Sequence, residues 1–411
     1  MDKKPEKLVP EVRFKGFADD WEQRKLGEFY SFKNGLNKGK EYFGHGVPIV
    51  NYTDVYHHRS LELKDLKGKV ELTSNEVKNN SAKTGDLFFT RTSETIDEIG
   101  FPAILLSASN DTVFSGFLIR VRPIGGDPLD LLFKKYVFYT KTFRQEMMRK
   151  STITTRALTS GKNLSSMIMK FPDKIKEQNS IGNLLTKLDN LITLQQRKLE
   201  QLTQLKKALQ QKLFSNSFQE KPLLRILHGD NSWWNSYIGE VFTERVDKGS
   251  SEKLLSVSIT DGVYPFDESK RKNNSSNDKH NYKKVFQNDI AYNSMRLWQG
   301  ALGVSNYEGI VSPAYTVLKP LANQNSIFYE FMFKNIDMLH IFQRNSQGLT
   351  SDTWNLKFNQ LQHIKIKTTN LNSQNKIAKL LIKIEELKND ESNYYHNLMT
   401  LKKYLLQKLF I

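Results

Sequence analysis

The chain carries much of its own frame twice, and that repeat limits its fold more than any other feature. Near the start it reads Pro10-Glu11-Val12-Arg13-Phe14, then Trp21, then Leu26-Gly27-Glu28. Further on it reads Pro222-Leu223-Leu224-Arg225-Ile226, then Trp233, then Ile238-Gly239-Glu240, each match 212 positions later. A second match has an offset of 196. Leu205-Lys206-Lys207-Ala208-Leu209-Gln210-Gln211-Lys212-Leu213-Phe214 recurs as Leu401-Lys402-Lys403-Tyr404-Leu405-Leu406-Gln407-Lys408-Leu409-Phe410, with eight identities in ten positions. The same register pairs Gln178 with Gln374, Ile181 with Ile377, and Leu184-Leu185 with Leu380-Leu381, so it holds for 37 residues. The fall from 212 to 196 means that the second copy has lost 16 net residues inside. The interiors, about 22–170 and 235–365, are only weakly alike. A duplicated frame with diverged contents predicts one scaffold presenting two different surfaces.

Residues 176–214 contain no Pro, and their one Gly, Gly182, lies in the first turns. Alternating steps of four and three reach Ile181, Leu185, Leu188, Ile192, Leu199, Leu202, Leu209 and Leu213, interrupted by Gln195 and Lys206. The matching second set holds Ile377, Leu381, Ile384, Leu398, Leu405 and Leu409, with Tyr395 between. A 3.5-residue repeat of this length predicts a coiled-coil seam. Thirty-nine helical residues would span roughly 58 Å. Asp173 after Pro172 suits the N-cap of the first helix, and Asn370 or Asn372 that of the second. Two equal apolar stripes in one chain most economically bury each other. The alternative is that each packs on its own globular domain. Gln195 and Lys206 are expected at the edge of the seam, though buried polar residues there can also set register.

The interiors read as mixed. Asp86-Leu87-Phe88-Phe89-Thr90, Thr112 to Val121, Asp289-Ile290-Ala291-Tyr292 and Tyr315 to Leu318 look like strands, with turn signals at Gly125-Gly126 and Asn273 to Asp278. Leu129 to Met148 reads as one helix, and Ser326 to Phe342 as its counterpart. The expected fold class is α+β: two mixed α/β domains joined by two long helices in an antiparallel coiled coil, with a pseudo-two-fold internal repeat. The boundaries fall at 1–172 for the first domain, 173–215 for the central helix, 216–369 for the second domain and 370–411 for the C-terminal helix.

Lys and Arg number 61 against 44 Asp and Glu, a net charge of +17. Such an excess points to a polyanionic partner, because Lys and Arg displace counterions condensed on phosphates. There is no cysteine, which removes disulfides, thiolate catalysis and Cys-based zinc sites. Met1 to Pro10 is charged and lacks the apolar stretch of a secretory signal. No run approaches the roughly 18–20 apolar residues that a spanning helix needs, so a cytoplasmic protein without membrane contact is expected. Catalytic motifs are missing as well. There is no Gly-rich Walker loop, no Asn-Pro-Pro-Phe-like methyltransferase motif and no Gly-rich cofactor turn. Asp127-Pro128-Leu129 is too short a match, Pro172-Asp173 sits at a helix entrance, and His57-His58 has no partners at metal-ligand spacing.

The opening Val9-Pro10-Glu11-Val12-Arg13-Phe14 with Gly16-Phe17 and Trp21, together with the two long helices, resembles the specificity subunits of type I restriction-modification enzymes over nearly the whole chain. Val9, Gly16 and Phe17 have no clear partner in the second opening. Gly85 to Thr95 and Asp289 to Gly300 look like target-recognition segments of that family. The resemblance implies a non-catalytic subunit in which each variable domain reads one half of a split, asymmetric duplex target in the major groove. It implies an antiparallel coil that sets the spacing and docks two adenine-methyltransferase subunits, with restriction subunits joining them. S-adenosylmethionine, ATP and Mg²⁺ would be held by those partners, and no cofactor or metal by this chain.

Side-chain chemistry narrows the DNA-facing candidates. Arg reads guanine through O6 and N7, Asn and Gln suit adenine, and Ser, Thr and Lys more often fix position on phosphates. The first domain offers Thr90, Arg91, Thr92, Ser93 and Thr95, with Glu94 as an acceptor for cytosine. The second offers Asn293, Ser294, Arg296, Trp298 and Gln299, with Arg271 and Lys272 in a polar loop for phosphates. Two other readings stand beside this one: a self-sufficient methyltransferase or nuclease, against which the missing motifs argue, and a stand-alone sequence-specific DNA-binding regulator.

Overall fold

The computed structural model describes residues 8–215, 221–226, 232–268, 278–351 and 353–411. The chain divides into two compact units, Met1–Gln196 with Tyr394–Ile411, and Arg197–Asn393. Each unit takes one half of the central helix, Ile175–Leu213, and one half of the C-terminal helix, Leu371–Lys408.

In the first unit a five-stranded sheet runs in the order Tyr30–Asn34, Leu118–Pro123, Leu87–Thr90, Pro102–Leu105, Ser60–Leu61. All neighbours are antiparallel except the last pair. In the second unit Phe242–Glu244, Tyr315–Pro320, Ile290–Asn293 and Leu302–Val304 form a four-stranded antiparallel sheet. The first four strands of the one correspond in order to the four of the other, and Ser60–Leu61 has no counterpart in that sheet. Leu87 lies opposite Val121, and Ile290 lies opposite Leu318. The interiors that look weakly alike in sequence therefore share one register.

The repeated frame residues meet each other inside each unit. Trp21 packs on Phe133 and Phe410 at 6.0 and 6.2 Å between ring centroids. Its counterpart Trp233 packs on Phe328 at 6.1 Å, and Phe328 on Phe214 at 5.2 Å. Leu-Gly-Glu and Ile-Gly-Glu are matching caps: Lys25 N–H donates to Glu28 and Tyr237 N–H to Glu240, both at 3.0 Å. Gly182 permits a close approach, since a Cβ there would lie 2.7 Å from the Leu132 carbonyl carbon and the Phe133 nitrogen.

A repeated glutamine ties each long helix to its unit. Gln178 is fully buried. It accepts from Asp130 N–H (2.7 Å) and donates to the carbonyls of Pro128 (2.9 Å) and Pro172 (2.8 Å). Gln374 does the same in the second unit, accepting from Asn325 N–H (2.8 Å) and donating to the Thr369 carbonyl (2.7 Å). Asp130 and Asn325 are the N-caps of matching helices.

The seam positions are buried or half-buried throughout. In the first unit Leu188, Ile192 and Leu398 form a cluster with Tyr395 and Leu405. Polar pairs beside the seam are reciprocal. Lys402 meets Asp189 at 2.6 Å in the first unit, and Lys206 meets Glu385 in the second. At an offset of 196 these are the same pair, an acid and a lysine on opposite helices, repeated in each unit. Lys206 is thus at the edge, as expected. Gln195 is not: it is 7% exposed and faces inward.

The domain helices expected over Leu129 to Met148 and Ser326 to Phe342 each break in two. Leu131–Val137 is followed by Lys141–Lys150, and Ser326–Phe333 by Ile336–Asn345. The cause is local. Thr140 accepts from Phe143 N–H and Asn335 from Asp337 N–H, so each starts a new helix where apolar spacing runs on unbroken. The stretch Thr112 to Val121 also divides, into Val113–Phe114 and Leu118–Pro123 around a turn at Ser115–Phe117. Asn370 caps the C-terminal helix, accepting from Ser373 N–H at 2.9 Å.

The Asp189 pair gives a pH signature. Burial alone would raise this carboxyl, but Lys402, Tyr136 and Lys135 outweigh it and hold it below its ordinary value of 3.8. A depressed carboxyl stabilises the folded state fully above the unfolded value, and that contribution is lost as pH falls through the folded one. Asp189→Asn should cost about 1–3 kcal/mol at neutral pH and flatten the acid limb of stability below pH 4. Urea midpoints at pH 7 and pH 3 measure both, and equal midpoints for native and variant chains at pH 7 would remove the pair as a stabiliser.

Candidate nucleic-acid interface

The candidate segments follow a matched pair of strands, each anchored by a buried carboxylate. Asp86 and Asp289 are 2% and 1% exposed. Asp86 accepts from Lys83 N–H (2.7 Å) and Asp289 from Phe286 N–H (2.9 Å), which closes a turn before the strand. Gly85 and Asn288 occupy the same place in these turns, both left-handed, at φ +90° and +71°. Asn tolerates that region better than most residues with a side chain. Each carboxylate takes a two-point bond from an arginine. Arg122 reaches Asp86 at 2.7 and 2.6 Å, and Arg245 reaches Asp289 at 2.6 and 3.0 Å. The arginines come from different strands. Arg122 lies on Leu118–Pro123, which pairs with Leu87–Thr90; Arg245 follows Phe242–Glu244, one strand further out. The carboxylate is kept while its partner has moved.

Beyond the anchors the side chains divide into inward and outward sets. Thr90 is fully buried, and its hydroxyl accepts from Phe101 N–H at 2.8 Å. It positions the strand end and presents nothing to solvent. Ser93 is buried and donates to the Thr95 carbonyl. Ser294 is buried and donates to the Ala314 carbonyl at 2.8 Å. Asn293 is half-buried and accepts from Met295 N–H at 3.0 Å. The outward set is Arg91 and Thr92, half-buried, with Glu94 and Thr95 exposed, and in the second unit Arg296, Trp298 and Gln299, all half-buried. Trp298 is fixed by its Nε1–H on the Met295 carbonyl (3.2 Å) and by an edge contact with Trp354 at 5.5 Å. Arg271 and Lys272 lie outside the described residues.

Two hairpins beside these segments are not signalled by the sequence reading. Each follows the second helix of its unit, whose end is closed by a serine: Ser151 donates to the Met147 carbonyl and Ser346 to the Phe342 carbonyl, both at 2.8 Å. The first hairpin pairs Thr152–Ile153 with Ala157–Leu158, and the latter strand pairs with Thr92–Ser93. The second is closed by a bridge between Gln347 and Asn355. One bond ties hairpin to segment in both units: Thr159 N–H donates to the Arg91 carbonyl (3.0 Å), and Leu356 N–H to the Ser294 carbonyl (2.9 Å). The runs Ser151-Thr152-Ile153-Thr154-Thr155 and Ser346-Gln347-Gly348-Leu349-Thr350 read as ordinary turns, so only the tertiary contacts single them out.

Among the described residues no group of three or more His, Asp or Glu is placed to hold a metal ion, and no helix is long and apolar enough to cross a membrane. Asp127, at the short Asp-Pro-Leu match, accepts from the Tyr30 hydroxyl (2.6 Å) and Leu129 N–H (3.1 Å) and pairs with Lys134. Its oxygens serve the fold.

The chain has informative relatives. Residues 18–204 match the family described as the type I restriction modification DNA specificity domain. No curated protein matches the chain by sequence. Three solved structures share its fold at 13% identity. The type I restriction-modification S subunit of M. genitalium superposes with a TM-score of 0.59 over 98% of this chain and 99% of its own. The HsdS subunit of Thermoanaerobacter tengcongensis gives 0.51 over 99% and 98%. A chain from a structure describing complex assembly and conformational transition of the type I R-M system gives 0.53 over 99% of both. Residues 18–204 are thus similar to the type I restriction modification DNA specificity domain, and the chain shares the fold of the S and HsdS subunits along its length.

Proposed function

We propose that this chain is the non-catalytic sequence reader of a type I restriction-modification complex, each unit recognising one half of an asymmetric bipartite DNA target. The observation that carries this is the matched framing of two unlike segments. The same sheet register, buried carboxylate and hairpin bond present Arg91, Thr92, Glu94 and Thr95 in one unit and Arg296, Trp298 and Gln299 in the other. Equal scaffolds with different outward groups suit two different short sequences. Antiparallel helices supply a two-fold axis that can cross a duplex, whose strands are related in the same way. The helices then set the spacing between half-sites. Leu191, Leu194 and Leu205, with Leu387, Met399 and Leu401, are exposed apolar residues outside the seam. They suit the docking of two adenine-methyltransferase subunits, which hold S-adenosylmethionine. ATP and Mg²⁺ belong to the restriction subunits of the cleaving complex.

Mapping methylated adenines genome-wide, with and without this chain, tests the reading. A bipartite motif that vanishes with the chain is expected, and an unchanged pattern refutes it. Arg296→Ala should relax the preference at one base position of one half-site, at a cost of about 1–3 kcal/mol. Competition binding with single-base variants reads this out, and an equal loss on every sequence would reduce Arg296 to a phosphate contact.

A further inference from the structure

Each hairpin carries a single exposed aliphatic side chain, Ile153 on the paired strand and Leu349 in the loop beyond Gln347. Ile153 is 67% exposed and Leu349 101%. One such residue would mean little, since lone apolar side chains are common on surfaces. Here the feature recurs in two interiors whose outward groups have otherwise diverged, on hairpins bonded in the same way to the candidate segments. The polar groups around them are used by the turns. Thr154 donates to the Arg156 carbonyl (3.4 Å), and Thr350 and Thr353 bond each other (3.4 Å). The aliphatic side chain takes no part in holding either turn.

A two-stranded ribbon fits the major groove, and the thymine C5 methyl is the distinctive apolar group on the base edges there. We infer that Ile153 and Leu349 are specificity-determining residues that each contact a thymine methyl, one in each half-site. This rests on the functional reading above. It also agrees with it, because a half-site containing a methylatable adenine holds a thymine on the opposite strand.

The test uses the full-length chain with its co-purifying methyltransferase subunits. The probes are duplexes of the target mapped by methylation, with 2′-deoxyuridine replacing thymine in one half-site at a time. The native complex should lose about fourfold in affinity per methyl removed from a contact, the worth of one buried carbon. Ile153→Ala should abolish that sensitivity in one half-site only, and Leu349→Ala in the other. Both side chains are exposed, so neither variant threatens folding. Native indifference to uracil, or full uracil sensitivity in both halves of either variant, overturns the inference and leaves the functional reading standing. A complex that prefers no sequence at all overturns both.

Discussion

Arg122→Ala is expected to destabilise the first unit by about 3–5 kcal/mol, because it leaves a buried carboxylate without its counter-charge. Asp86 is 2% exposed, and Arg122 supplies both of its charge-assisted bonds. One Lys83 N–H remains and cannot neutralise it. The loss should concentrate in strand Leu87–Thr90 and spare the second unit, where Asp289 has its own arginine. Hydrogen exchange resolved by segment reads out both. The second unit also indicates a rescue. It has Arg245, Val317 and Lys319 where the first has Lys33, Arg120 and Arg122. Transplanting the set as Lys33→Arg, Arg120→Val and Arg122→Lys should recover most of the loss. No recovery would mean that the charge pair is not what holds this strand.

Gln178→Leu should cost about 2–5 kcal/mol, since it deprives Asp130 N–H and the carbonyls of Pro128 and Pro172 of a partner in a buried setting. Leucine is close in size, so packing changes little and the polar loss dominates. Gln178→Glu keeps an acceptor for Asp130 but removes both donors and buries a charge, so it should be no milder. Gln374→Leu should act likewise on the second unit, at its contacts with Asn325 and Thr369. Urea unfolding of the three variants measures the effect. A shift under 0.5 kcal/mol, the scale of ordinary surface substitutions, would show that water replaces the amide at no cost.

These residues also show how much was legible in advance. Gln178 and Gln374 are visible as a repeat, but only the fold gives the reason: each holds the cap of a helix about 50 residues away in sequence. The long helices were readable from their apolar period; that Ile181 and Leu185, like Ile377 and Leu381, also join the cores of their units was not. The strands at Asp86 and Asp289 were readable from their apolar runs. The helix breaks at Thr140 and Asn335 were not, because a single capping side chain overrides a spacing that continues across it. Nor was the common register of the interiors, which is fixed by strand pairing and not by identity. Of the candidate contacts, Thr90, Ser93 and Ser294 have the right chemistry, yet their hydroxyls bond the backbone of Phe101, Thr95 and Ala314. Ile153 and Leu349 carry no polar signal, and a search for hydrogen-bonding groups passes over them.

The two routes by which arginine reaches the buried carboxylate limit how genes of this kind can recombine. A crossover within the duplicated frame moves a whole head, and the acid travels with its own base. A crossover between the first strand and the anchoring turn would join Lys33 to Asp289 and Lys319, stranding a charge in the core; the reciprocal product would carry two arginines for one acid. Selection should therefore leave exchange points in the long helices and the openings, so that new specificities arise by trading intact heads.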